Sequence, residues 1–229
     1  MALEISTAQV ATRIALGFIA IGAAFFVPAG TLRWPEAWIY ILTQFFFSTA
    51  MAAWLKKNNP DLLRERLILV KRSAKDWDKV ILGISTVAFI PYILIPGLDA
   101  VRYRWSEFPF HLKLVGFSGT LLSLKTVFCI MRVNTFLSRF AEIQKDRGHR
   151  VITEGPYHFI RHPMYAAIIV LIISIPLLLG SFWSLIPGGV MIVLIIIRTA
   201  LEDRMLHAEL KDYRSYADKV RYRLLPGLW

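Results

Sequence analysis

Between Glu142 and Tyr165 the sequence gathers three histidines (His149, His158, His162), two tyrosines (Tyr157, Tyr165) and a Gly155-Pro156 turn. Pro163 suits the first turn of a helix, where its missing N–H costs nothing. His162 then falls near the N-cap, beside free backbone amides that can take a carboxylate or a phosphate. A metal is not expected here: the histidines bring no paired acidic ligand on a helix face, and the single cysteine, Cys129, gives no thiolate support. A plainer alternative has Arg161 and His162 anchoring a helix end at a membrane interface.

A second set lies downstream. Arg198 and Glu202 stand at i and i+4, one above the other on a helix. Arg198 is the first charge after the apolar run Val193 to Ile197. Ionisable groups within membrane helices are costly and usually face a polar interior. The competing reading is a snorkelling arginine paired to Glu202 for solvation alone.

The elements that must position these residues are membrane spans. Of 229 residues, 56% are apolar and 19% charged, and the mean hydropathy is +0.52. A spanning helix needs about 20 mostly apolar residues. Six stretches qualify: Val10–Ala29, Trp34–Leu55, Lys79–Gly97, His111–Met131, Pro163–Gly180 and Phe182–Leu201. The first lacks the basic flank of a cleaved signal peptide, and a second span follows almost at once. Gly180 and Ser181 join the last two spans into a tight hairpin, so His162, Tyr165, Arg198 and Glu202 are expected to converge. The expected fold is all-α: a polytopic integral membrane protein of about six transmembrane helices with a C-terminal amphipathic helix. Residues 1–131 form a four-span region, and 132–229 the part that carries the chemistry.

The net charge of +11 is unevenly placed, with 21 of the 27 basic residues in 56–79, 132–162 and 198–229. Loops rich in Lys and Arg stay cytoplasmic, so six spans put both termini and the site on that side. Long apolar runs make a soluble nucleic-acid binder a poor explanation of the charge, and nucleic acid is not an expected partner. Lys125, inside the fourth span, reads as a snorkelling side chain. Asn59-Pro60-Asp61 signals a helix start, with Leu62 to Arg72 lying at the cytoplasmic interface. Leu206, Leu210, Tyr213, Ala217 and Val220 recur at helical spacing. Their apolar face can lie on lipid or cap the protein, and lipid is the plainer expectation.

Gly155-Pro156-Tyr157, then Arg161-His162-Pro163-Met164-Tyr165, then Arg198 with Glu202-Asp203 and a Tyr-rich tail resemble the isoprenylcysteine carboxyl methyltransferase family. Related phospholipid methyltransferases share the first helix entrance and the acidic pair. The resemblance covers roughly Asn134 to Trp229, and Asn59 to Leu67 with Lys75 to Lys79 also resembles bacterial members. It implies S-adenosylmethionine as cofactor, held without a Rossmann domain. Carried over by position, cofactor contacts fall at His149, Arg150, Val151, Ile152, Tyr157, His162, Pro163, Met164, Tyr165 and Glu202. Arg198 matches the arginine that holds the substrate near the reacting methyl, which makes Arg198 and Glu202 the implied catalytic pair. Asp203 takes the family's second acidic position, and Ala166 stands where Gly is frequent.

The implied activity is carboxyl O-methylation of a lipophilic, isoprenylcysteine-like acceptor taken from membrane lipid. A carboxylate is already ionised at pH 7, so catalysis reduces to orientation and partial desolvation. Methylation of a lipid amine is the closest rival, and it would need Glu202 or His162 as base. A non-enzymatic membrane protein or small transporter is the third reading. Transporters, however, tend to carry broken helices and mid-bilayer charges in corresponding halves, and here the charges sit at helix ends.

Overall fold

The computed structural model describes residues 6–68 and 75–229. All regular structure among them is helical: α1 (Thr7–Ala29), α2 (Pro35–Asn58), α3 (Pro60–Leu67), α4 (Asp76–Pro96), α5 (Phe110–Val133), α6 (Pro163–Leu179), α7 (Leu185–Glu209) and α8 (Tyr213–Lys219). A π-helical turn, Gly97–Arg102, extends α4. Helices α1, α2, α4, α5 and α7 are long and apolar enough to cross a membrane, and α6 is a shorter apolar helix. Large apolar side chains such as Leu16, Phe46, Val87, Leu122 and Val193 are exposed, as expected where lipid is the solvent. The polytopic all-α fold read from hydropathy is therefore the observed one.

Helix α6 has 17 residues, about 25 Å of rise, somewhat less than the roughly 30 Å hydrocarbon thickness. Eight of its residues are buried, against four of the 23 in α1, so α6 is the inner helix, covered by protein. Its tightest neighbour is α5. A Cβ on Gly116 would lie 2.3 Å from the Leu178 amide nitrogen, and one on Gly119 would lie 2.2 Å from the Ser174 hydroxyl. Backbones that close are possible only with small residues at the crossing. Ser123 adds a bond to the Ala167 carbonyl at 2.8 Å.

The hairpin between α6 and α7 turns at Gly180, whose φ of 80° is left-handed and suits glycine. Ser181 and Ser184 fill the turn, donating to Asp99 and to the Tyr92 carbonyl at 2.6 and 2.7 Å. Phe182 therefore belongs to the turn, and α7 starts three residues later than hydropathy places it. At the other end α7 runs on to Glu209, past the expected Leu201.

Contacts place the start of α1, the ends of α2 and α7 and the whole of α3 at one end of the bundle. Lys56 at the end of α2 donates to the Thr7 hydroxyl, and Arg13 donates to the Leu67 carbonyl at 2.8 Å. Glu65 of α3 accepts from Ser138, and Lys75 pairs with Glu209 at 2.7 Å. The expected helix start at Asn59 is present: its side chain accepts from the Leu62 amide, and Pro60 is the first helical residue. Leu62 and Leu63 are buried against Met51, Leu55 and Met131, so α3 is seated on protein. The expected continuation through 69–72 lies outside the described residues.

The C-terminal expectation needs correction. No single amphipathic helix runs from Leu206 to Val220: the chain breaks after α7, with Asp212 at φ 64°, and resumes as the seven-residue α8. Its apolar face does not rest on lipid. Leu210, Tyr213 and Tyr216 are buried together against Ile143, Val151 and Leu206, because the tyrosine hydroxyls find partners in the protein.

Candidate active site

Three segments meet at the end that carries α3: loop 134–162 with the entrance of α6, the last turns of α7, and α8 with the tail. Loop 134–162 is held to the bundle by side-chain bonds. Asn134 donates to the Tyr157 hydroxyl at 2.6 Å, Gln144 to the Phe136 carbonyl at 2.6 Å, and Tyr216 to the Tyr157 carbonyl at 2.7 Å. His149 stacks on Phe136 with centroids 4.8 Å apart. Burial, then the charge of Arg147, holds its pKa below the usual histidine value, so at pH 7 the ring is neutral and its Nδ1 accepts from the Gln144 amide.

The α6 entrance is pinned by the tail. The amides of Arg161 and His162 donate to the Tyr222 and Arg223 carbonyls, both at 2.9 Å. The organising residue is Asp203, 1% exposed. It accepts from Arg161 at 2.8 and 3.1 Å, Arg223 at 2.8 Å and Tyr213 at 2.9 Å, with His162 Nε2 at 3.2 Å. Arg161 also reaches the Val220 and Arg221 carbonyls at 2.8 Å. Burial works against the Arg161 charge, yet the bonded Asp203 carboxylate holds its pKa above the ordinary value. Burial, reinforced by Asp203, pushes the Tyr213 phenol far up. The His162–Asp203 contact, absent from the sequence reading, makes His162 part of a structural network.

Glu202, one residue earlier on α7, looks the other way and accepts from the Tyr165 hydroxyl. Arg198, one turn before it, does not pair with Glu202. Its Nε and Nη2 bond the two oxygens of Asp78 at 2.7 and 3.2 Å, Nη2 also reaches the Arg139 carbonyl at 2.8 Å, and its charge sits 5.4 Å from the Tyr165 ring centroid. Asp78, on the first turn of α4, is fully buried and also accepts from the Ala141 amide at 2.8 Å. Sequence reading assigned Asp78 no role. Its only signal was the Asp76-Trp77-Asp78 run opening a span, which shows a helix start but not a partner 120 residues away.

These residues surround a cavity of about 280 Å³. Of the expected site residues, His149, Arg150, Val151, Ile152, Tyr157, His162, Met164, Tyr165, Arg198 and Glu202 all line it. Pro163 is not in the wall; it is buried behind it as the first residue of α6. Arg66 of α3 also lines the cavity, and sequence reading passed over it. The amides of Arg150, Val151 and Ile152, all residues of the cavity wall, donate no hydrogen bond among the described residues. No cluster of three His, Cys, Asp or Glu able to hold a metal occurs among the described residues.

The fold and site thus define a polytopic, all-helical membrane protein with a two-signed polar cavity at one end of its bundle. Residues 113–212, from α5 to the end of α7, match the phospholipid methyltransferase family. That match supports a membrane methyltransferase of the isoprenylcysteine or phospholipid kind. No curated protein matches the chain.

Proposed function

We propose that this protein is an S-adenosylmethionine-dependent methyltransferase that esterifies a lipophilic, isoprenylcysteine-like carboxylate at the cytoplasmic membrane face. The observation that carries the reading is one cavity faced by Glu202 and Arg198, a helical turn apart, with Tyr165 between them. The cavity fits the cofactor chemically: the amides at 150–152, which donate to no described residue, suit a purine, and an anionic Glu202 suits a cationic or hydroxyl-bearing ligand. Bound there, S-adenosylmethionine supplies a sulfonium methyl group open to in-line displacement.

The chain's own residues do the rest. His149 to Ile152, Tyr157, His162, Met164 and Tyr165 would hold the cofactor, with Glu202 fixed for it by the Tyr165 hydroxyl. Arg198 keeps Nη1 free of hydrogen bonds among the described residues, and that edge orients the acceptor carboxylate. Asp78 stops the guanidinium from swinging, so its remaining edge is pre-organised. No general base is required for an ionised acceptor.

A lipid-amine N-methyltransferase is the second reading, favoured by the family matched at 113–212. An amine acceptor must lose a proton, and Glu202, which lines the cavity beside Tyr165, is the base this reading assigns. Purified protein given methyl-labelled S-adenosylmethionine and host lipid extract separates the two. Base-labile label in the lipid fraction supports the ester, and base-stable label supports the amine. Absence of both cofactor binding and label transfer overturns the enzyme.

A further inference from the structure

Arg66 lies on α3, outside the matched segment 113–212, yet lines the same cavity as Tyr165 and Arg198. Its helix is firmly seated: Leu62 and Leu63 are buried beneath it, and the neighbouring Glu65 accepts from Ser138 at 3.0 Å. Its guanidinium makes no hydrogen bond or ion pair among the described residues. The other arginines at the site are differently placed. Arg161 is consumed by Asp203, and Arg198 gives two of its nitrogens to Asp78. Arg139 is exposed at the rim.

A guanidinium half-withdrawn from water and beside two like charges is in an unfavourable state. Burial, then the charges of Arg139 and Arg198, lowers its pKa from the ordinary value to about 10. Among the described residues its five donors bond no protein group and stay open to the cavity, where an anion can replace water and offset the partial burial of the charge. The nearby carboxylates are not paired with Arg66: Asp78 is committed to Arg198 and Ala141, Glu202 to Tyr165, and Glu65 accepts from Ser138, while Glu142, also in the cavity wall, forms no ion pair with that guanidinium among the described residues. The vacant partner is therefore an oxyanion brought by the ligand, for which the planar fork of arginine is suited.

We propose that Arg66 grips the oxyanion of the lipophilic acceptor and so selects it, a reading that rests on the methyltransferase assignment of the cavity. Carboxylate and phosphodiester acceptors share this chemistry: in the first the gripped group is itself the nucleophile, and in the second it flanks the amine. Arg66 is then a positioning residue contributed by the N-terminal half, and the matched segment alone lacks it.

The test uses the full chain in nanodiscs and measures acceptor binding without cofactor. The probes are S-farnesylcysteine with a free carboxylate, its carboxamide, and phosphatidylethanolamine supplied in mixed micelles. Arg66→Met should weaken binding of at least one anionic probe by about tenfold or more, as expected for a lost charged bidentate contact. It should leave the carboxamide, the affinity for S-adenosylmethionine and the melting temperature unchanged. Arg66→Lys should retain part of the affinity, and Arg132→Gln, an exposed change of the same charge, should retain all of it. Loss confined to farnesylcysteine identifies a carboxylate site, and loss confined to the phospholipid identifies a phosphate site. Wild-type affinity of Arg66→Met for both anionic probes overturns the proposal. Failure of S-adenosylmethionine to bind the wild type, with Arg66-dependent probe binding intact, would instead overturn the enzymatic reading and leave the anion site standing.

Discussion

Arg198 of α7 and Asp78 of α4 are joined by two bonds of 2.7 and 3.2 Å, with the Asp78 side chain fully buried and the Arg198 side chain 13% exposed. The pair ties the third long helix to the sixth at the edge of the cavity. It also fixes which edge of Arg198 is left for a ligand.

Removing Asp78 leaves a largely buried positive charge without its partner, a change that typically costs about 3–5 kcal/mol. Asp78→Asn should lower the melting temperature in detergent and reduce acceptor turnover together. Arg198→Lys keeps the charge but loses the planar fork, so it should depress kcat for the acceptor more than it depresses cofactor affinity. An Arg198→Lys protein that folds normally and turns over at the wild-type rate removes Arg198 from the role of acceptor clamp.

Glu202 and Asp203 are adjacent acids with opposite duties. Glu202→Gln removes the charge facing the cavity while preserving shape, so cofactor affinity measured by calorimetry should fall by about tenfold, in line with roughly 1.5–3 kcal/mol for a charge-assisted bond. Stability should change little, since Glu202 bonds Tyr165 alone among the described residues.

Asp203→Asn should behave in the reverse manner. Arg161, Arg223 and Tyr213 all lean on that carboxylate, and the tail that pins the α6 entrance is anchored through them. The expected result is a melting temperature lowered by several degrees and faster protease cleavage after Arg221 or Arg223. Cofactor affinity would drop as a consequence. Normal stability and an uncut tail would show that the backbone bonds of Arg161 and His162 suffice to hold it.

If α6 spans with the five longer helices, the placement of the basic regions predicts that both termini face the cytoplasm. Reporter fusions at Leu98 and Trp229 should then report opposite compartments, with Trp229 cytoplasmic. Matching compartments would discard this topology.

The helices, their order and the hairpin were legible in the sequence because each rests on a local signal. Apolar runs of span length, Pro60 and Pro163 at first helical positions, and Gly180 at a left-handed cap need only neighbouring residues to be recognised. The convergence of His162, Tyr165, Arg198 and Glu202 followed from the hairpin, since closing two spans brings the start of one beside the end of the other. The partners of the charges were another matter. Arg198 and Glu202, at ideal spacing for each other, instead bind Asp78 and Tyr165, because burial makes each charge seek the partner that packing brings nearest. Asp203, adjacent to Glu202, points about 100° away around the helix and becomes the anchor of the tail. Tyr213 and Tyr216 lie on protein rather than lipid because their hydroxyls find a carboxylate and a carbonyl there. Arg66 enters the cavity because α3 folds back over loop 134–162. None of these pairings has a spacing rule along the chain; only the packed helices decided them.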